Sequence, residues 1–154
     1  MEMSEEIRIN APRERVFAAL NDVEILKASI PGCEELEALS DTEFTATVVS
    51  KVGPLKARFK GGVTLTDVVA PESYTMIGEG KGGPAGFAKM RTYVHLSDEG
   101  DETVMRYEVK ADIGGKLAQL GGALITKTSK KLAGIFFKNF EAIVSETEAG
   151  GSTA

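Results

Sequence analysis

The chain has 154 residues, 42% hydrophobic and 27% charged, with a net charge of −5, a mix that excludes fibrous and disordered classes and allows a sizeable core. The acidic balance argues against a general nucleic-acid binder, the lone Cys33 excludes an internal disulfide, and no run reaches the roughly 18 apolar residues of a membrane span. Met1-Glu2-Met3-Ser4-Glu5-Glu6 has neither the basic start nor the apolar run of a signal peptide, so a cytoplasmic location is expected, with any membrane contact peripheral and at the inner face.

Residues 2–10 read as a first strand. Asn10-Ala11-Pro12 supplies a capping side chain and a proline for the first turn of a helix that buries Val16, Phe17 and Leu20. Asn21-Asp22 restarts a second short helix through Val23, Ile25, Leu26 and Ile30, which Pro31-Gly32 stops. Period two then rules, with strands expected at 34–39, 43–52, 55–70, 73–82, 86–97 and 103–113 and breaks short enough for a meander of hairpins. The clearest of these strands begins at Leu55: Ala57, Phe59, Gly61, Val63 and Leu65 share one face and Lys56, Arg58, Lys60 and Thr64 the other. An inward row holding Ala57 and Gly61 cannot fill its own concave side, so a helix, a ligand or both must fill it.

From Lys116 to about Glu146 the period returns to 3.6, giving one amphipathic helix of about 45 Å, long enough to cross the sheet. Gly121-Gly122 and Gly134 weaken its intrinsic helicity, so packing must hold it. Residues 1–146 thus read as one α+β domain, a curved seven-stranded antiparallel sheet around a long C-terminal helix with two short helices after the first strand, followed by a flexible tail over 147–154. Glycines from Gly78 to Gly86 mark either bends of a strongly curved sheet or a mobile loop.

One histidine and one cysteine supply no metal-ligand cluster, so neither metal nor cofactor is expected. His95 lies on a polar row and reads as solvated. Cys33 reads as a small buried residue, with a reactive thiol as the alternative. Gly78-Glu79-Gly80-Lys81-Gly82-Gly83 lacks the lysine followed by serine or threonine of a phosphate loop. Asp67 is the one ionisable residue of its inward row. Either the row twists outward there, or Asp67 is a polar anchor or an acid/base group.

The candidate cavity set is Phe59, Asp67, Tyr74, Met76, Phe87, Met90 and Tyr107 from the strands and Leu117, Leu120 and Leu124 from the helix. A mostly apolar and aromatic set suits a lipophilic ligand such as a quinone, sterol, acyl chain or polyketide, the alternative being a core filled by its own side chains. Lys127, Lys130, Lys131 and Lys138 make a basic stripe on the last helix, either a solvated face or a docking surface for an acidic partner or anionic lipid.

The element order resembles the helix-grip fold of the START-like SRPBCC superfamily. Ile30-Pro31-Gly32-Cys33-Glu34, Lys51-Val52-Gly53-Pro54-Leu55, the Gly78 to Gly86 cluster and Ile113-Gly114-Gly115-Lys116-Leu117 are similar to the G-subunit family of carbon monoxide dehydrogenase, over about residues 3–145. The resemblance implies a non-catalytic accessory protein associated with a molybdenum hydroxylase complex of the carbon monoxide dehydrogenase type. The partners expected are a lipophilic small molecule, that complex and a membrane surface, with no nucleic acid. The rivals are a cyclase or hydratase of the same superfamily using Tyr74, Tyr107 and Asp67, and an assembly factor with a filled core.

Overall fold

The computed structural model describes the backbone of residues 1–153 and the side chains of residues 1–145; the tail expected over 147–154 lies outside the described side chains. Strands β1 (Glu2–Ile9), β2 (Cys33–Ala38), β3 (Glu43–Val52), β4 (Leu55–Val69), β5 (Ser73–Lys81), β6 (Phe87–Glu99) and β7 (Glu102–Gly114) form one antiparallel sheet in the order β1-β7-β6-β5-β4-β3-β2. Helices α1 (Arg13–Leu20) and α2 (Val23–Ser29) follow β1, and α3 (Gly122–Thr153) ends the chain.

Alternation in β4 decides the two faces of the sheet. Phe59, Gly61 and Val63 turn toward α3, whereas Lys56, Arg58, Lys60 and Thr64 are exposed on the other side. The curl needs Gly61, because a Cβ there would collide with the Glu79 carbonyl of β5. Past Thr66 the register with β5 slips, Asp67 takes a φ of 52° and the alternation is lost.

Two local expectations are corrected. Pro12, not Asn10, occupies the N-cap of α1, and no side chain caps it. Asn10 instead ties the chain to α3, its N–H donating to Glu141 Oε2 at 3.1 Å and its carbonyl accepting from Ser145 Oγ at 3.1 Å. Asp22 does cap α2, accepting from the N–H groups of Glu24 and Ile25. The last helix does not run unbroken from Lys116: Gly115–Leu120 is a 3-10 helix, and Gly121, at φ 91°, breaks the chain before α3 starts at Gly122. That left-handed conformation is incompatible with a continuing right-handed helix.

The core sits at the end of the sheet covered by α1. Phe140 and Val144 of α3 are fully buried with Ile9, Val16, Val94 and Leu96, each large side chain contributing about 1.5–3 kcal/mol. Phe136 stacks on Phe140 at 5.7 Å between centroids and Phe137 on Tyr107 at 5.3 Å. Thr103 Oγ1 donates there to the Ala11 carbonyl at 2.7 Å, and Asn139 Nδ2 to the Ser29 carbonyl at 3.2 Å, pinning α2 to α3. The middle of α3 is thus anchored by aromatic packing. Its N-terminal turns stand over a different part of the sheet.

Candidate functional site

Register lines up the smallest inward residues under those first turns. Ala46, Gly61, Gly80 and Ala88 are successive cross-strand partners from β3 to β6, with Ile113 of β7 completing the row. The next row carries Gly78, Met90 and Ala111. With so little side-chain volume beneath it, α3 does not close onto the sheet, and a cavity of about 440 Å³ remains, within the range of small-molecule sites. By contrast, the rows at the far end of the sheet carry Tyr74, Val94, Leu96, Met105 and Tyr107, all buried. Large residues make the core, and small ones leave the space.

The walls of the cavity come from Val48 and Val52 of β3, Phe59 and Val63 of β4, Leu117 of the 3-10 helix, and Ile125 and Leu132 of α3. Phe59 lies flat against the end of β5, where a Cβ on Gly82 would come within 2.6 Å of its ring. Gly80 is different: a Cβ there would meet only Phe59 Cβ, at an ordinary 3.8 Å. Its missing side chain is therefore space left open, not a clash avoided. Polarity enters through the hydroxyl residues Ser50, Thr128 and Ser129. Glu79 also borders the cavity, but it alternates to the opposite face of β5 and is exposed.

Of the expected cavity residues, Phe59, Met90 and Leu117 come together along this lining. The others stand elsewhere. Asp67 is exposed in its bulge, because the register slip turns it out of the row. Tyr74 is buried in the core with its ring edge-on to Phe17 at 5.8 Å, and Met76 packs partly buried against the same cluster. Phe87 faces away from α3, covering Gly114 and lying 5.9 Å from the Lys89 ammonium, since it is one residue out of step with the inward Ala88. Tyr107 stacks on Phe137 in the core. Leu120 closes the 3-10 helix, and Leu124 packs on Gly53 of the β3–β4 turn, where a Cβ would come within 2.8 Å of Leu124 Cδ2.

An inward carboxylate exists, and it is Glu5 rather than Asp67. Glu5 faces Tyr107 across β1 and β7, and its Oε2 accepts the Tyr107 hydroxyl proton at 2.8 Å. Burial first, then the hydrogen bond to Glu5 and its charge, push the Tyr107 hydroxyl above the ordinary tyrosine pKa; burial does the same at Tyr74. The signal for Glu5 was the parity of Met3, Ile7 and Ile9. Cys33 is half-buried, and burial raises its thiol pKa against the lowering effect of Lys27, the opposite of an activated nucleophile. His95 lies 3.5 Å from Glu72 on the outer face. Lys127, Lys130, Lys131 and Lys138 are all exposed on α3. No helix is long and apolar enough to cross a membrane, and no three metal-ligating side chains gather, among the described residues.

Comparison with known proteins agrees with this architecture. The family model of the carbon monoxide dehydrogenase G subunit (CoxG) matches residues 6–145. A conserved protein from Geobacillus kaustophilus superposes with a TM-score of 0.89 at 26% identity, covering 96% of this chain and 97% of that one. A START superfamily protein from Mycobacterium smegmatis gives a TM-score of 0.72 at 13% identity over 95% and 98% of the two chains. The Zhui aromatase/cyclase from Streptomyces sp. R1128 gives 0.65 at 11% over 94% and 93%. No curated relative matches by sequence. The fold is START-like, an α+β helix-grip.

Proposed function

Because the chain belongs to the CoxG family of carbon monoxide dehydrogenase, we propose that it is a non-catalytic accessory protein of a molybdenum hydroxylase that holds a lipophilic small molecule between α3 and the glycine-rich part of the sheet. The observation that carries this reading is the cavity of about 440 Å³ left by Ala46, Gly61, Gly80 and Ala88. An apolar wall with a few hydroxyls favours a quinone-like or lipid-like molecule, since an ionised group would have to be buried there without a countercharge. The glycine at position 80 supports it further, because a fold under pressure only to be stable gains by filling such a space.

A binding role rather than a catalytic one is supported by where the titratable groups lie. General acid/base work requires a group at the reacting atoms with a pKa tuned toward neutrality. Tyr74 and Tyr107 are packed in the core and shifted away from neutrality, and Asp67 is outside. The lysines of α3 serve, in this reading, to dock the loaded protein on an acidic partner or on the inner face of a membrane.

The test is to incubate the protein with quinones, fatty acids and candidate polyketides and to analyse bound and free molecules. Recovery of one class unchanged and bound in stoichiometric amount supports the carrier. Product formation that disappears in Glu5→Gln or Tyr107→Phe would install the cyclase or hydratase reading in its place.

A further inference from the structure

The face of the sheet turned away from α3 carries a groove of about 940 Å³ that shares the backbone of Gly61, Gly62 and Gly78 with the cavity, and its charge pattern runs against that of the chain. Five basic and three acidic side chains border it, in a protein whose totals are 18 and 23. Register places like charges directly opposite one another: Lys60 faces Lys81 across β4 and β5, and Arg91 faces Lys110 across β6 and β7. Such pairs destabilise a sheet. Only Lys81 has a carboxylate within ion-pair distance, Glu79 at 3.9 Å; Lys60, Lys89, Arg91 and Lys110 have none among the described residues. Lys89 stands between the two pairs, itself opposite Glu79 and Asp112, and Glu2 faces Lys110 from β1, so the five basic groups form a diagonal stripe flanked by carboxylates.

The floor of the groove is open for a reason that is not steric. Gly62 alternates to this face, has no left-handed φ, and its Cβ would meet only the Phe44 carbonyl, at 3.5 Å. A side chain would fit there and would fill the groove. Beside it the apolar Ile77 is 42% exposed.

We propose that this groove is a second binding site, one that takes an extended acidic segment of a protein partner. From Lys60 on β4 to Lys110 on β7 the stripe crosses three strand spacings and four residues of strand, about 20 Å, which an extended chain covers in about six residues. Carboxylates at alternate positions of that segment would stand on one side of it and meet the lysines and Arg91, relieving the two like-charge contacts. Glu2, Glu79 and Asp112 also border the groove. A peptide can set neutral or basic residues against them, whereas a nucleic-acid strand brings a phosphate at every step to a protein already at −5.

The experiment is fluorescence anisotropy with a labelled six-residue peptide alternating glutamate and serine, against a lysine–serine peptide and oligothymidylate. Saturable binding of the acidic peptide, weakened by salt, is expected. Lys60→Glu/Arg91→Glu and, separately, Gly62→Leu should each lose about tenfold or more in affinity. The double variant should keep or raise its thermal midpoint, since each substitution turns a like-charge contact into an opposite-charge one, and, with neither position lining the cavity, it should retain cavity ligand. Absence of saturation up to about 1 mM peptide, unchanged affinity in either variant, or tighter binding of oligothymidylate overturns the proposal.

Discussion

Filling the cavity from Gly80 measures whether the space under α3 is real. Gly80 sits in β5 with an ordinary φ, and a Cβ there meets only Phe59 Cβ at 3.8 Å. Replacing a strand glycine by alanine removes a backbone-entropy penalty of about 0.5–1 kcal/mol. Gly80→Val adds two carbons beyond alanine to an apolar enclosure, each contributing about 0.8 kcal/mol. The valine variant should therefore be more stable by about 2 kcal/mol, raising the thermal midpoint of a chain this size by about 4–8 °C. Calorimetry on ligand-stripped Gly80→Ala, Gly80→Val and Gly80→Leu provides the assay, with bound lipophile measured in parallel. Stability should rise from alanine to valine while ligand capacity falls. A midpoint that drops steadily along the series means that the space is already filled, and would refute the argument from register.

Phe140, fully buried, and Phe59, on the cavity wall, separate core from lining: Phe140→Ala should cost about 3–5 kcal/mol and Phe59→Ala clearly less, by urea unfolding, and equal losses would contradict the division. The raised Tyr74 and Tyr107 pKa values favour the protonated hydroxyl in the folded state. Their contribution is complete below the ordinary tyrosine pKa of about 10 and is lost as pH rises beyond it. Tyr107→Phe should thus flatten the fall in urea midpoint above about pH 10, and an unaltered slope would count against a hydroxyl held by burial and Glu5. Reversing Lys127, Lys130, Lys131 and Lys138 to Glu should abolish salt-dependent binding to the partner hydroxylase or to anionic vesicles with little change in thermal midpoint; equal binding leaves only a solvated face.

Much of the architecture is written in local periodicity. From Leu55 to Leu65 the alternation of β4 alone assigns both faces of the sheet, and Asp22 announces the start of α2. The failures have physical causes. Parity left Asp67 either inward or twisted out of its row, and the bulge that shifts the register turns it out. Phe87 was grouped with the inward set on its hydrophobicity, although Ala88, Met90 and Val94 already put it on the other face. Gly121 lowers helix propensity only modestly as a composition term, whereas its φ of 91° ends the helix outright. Glu5 was readable from Met3, Ile7 and Ile9 and was hidden by its acidic neighbours. The cavity itself has no local signature: Ala46, Gly61, Gly80 and Ala88 lie on four strands, and only the cross-strand register brings them into one row.

Native mass spectrometry of the protein purified without detergent or organic solvent tests the central claim most directly, with Gly80→Leu as its control. The parent chain should carry a non-covalent adduct that is released on denaturation and extracts into organic solvent, and the leucine variant should lose it. A bare polypeptide mass for both proteins, together with failure of the parent chain to take up added quinone or fatty acid, would contradict a ligand-carrying cavity and leave a protein that acts through its surfaces alone.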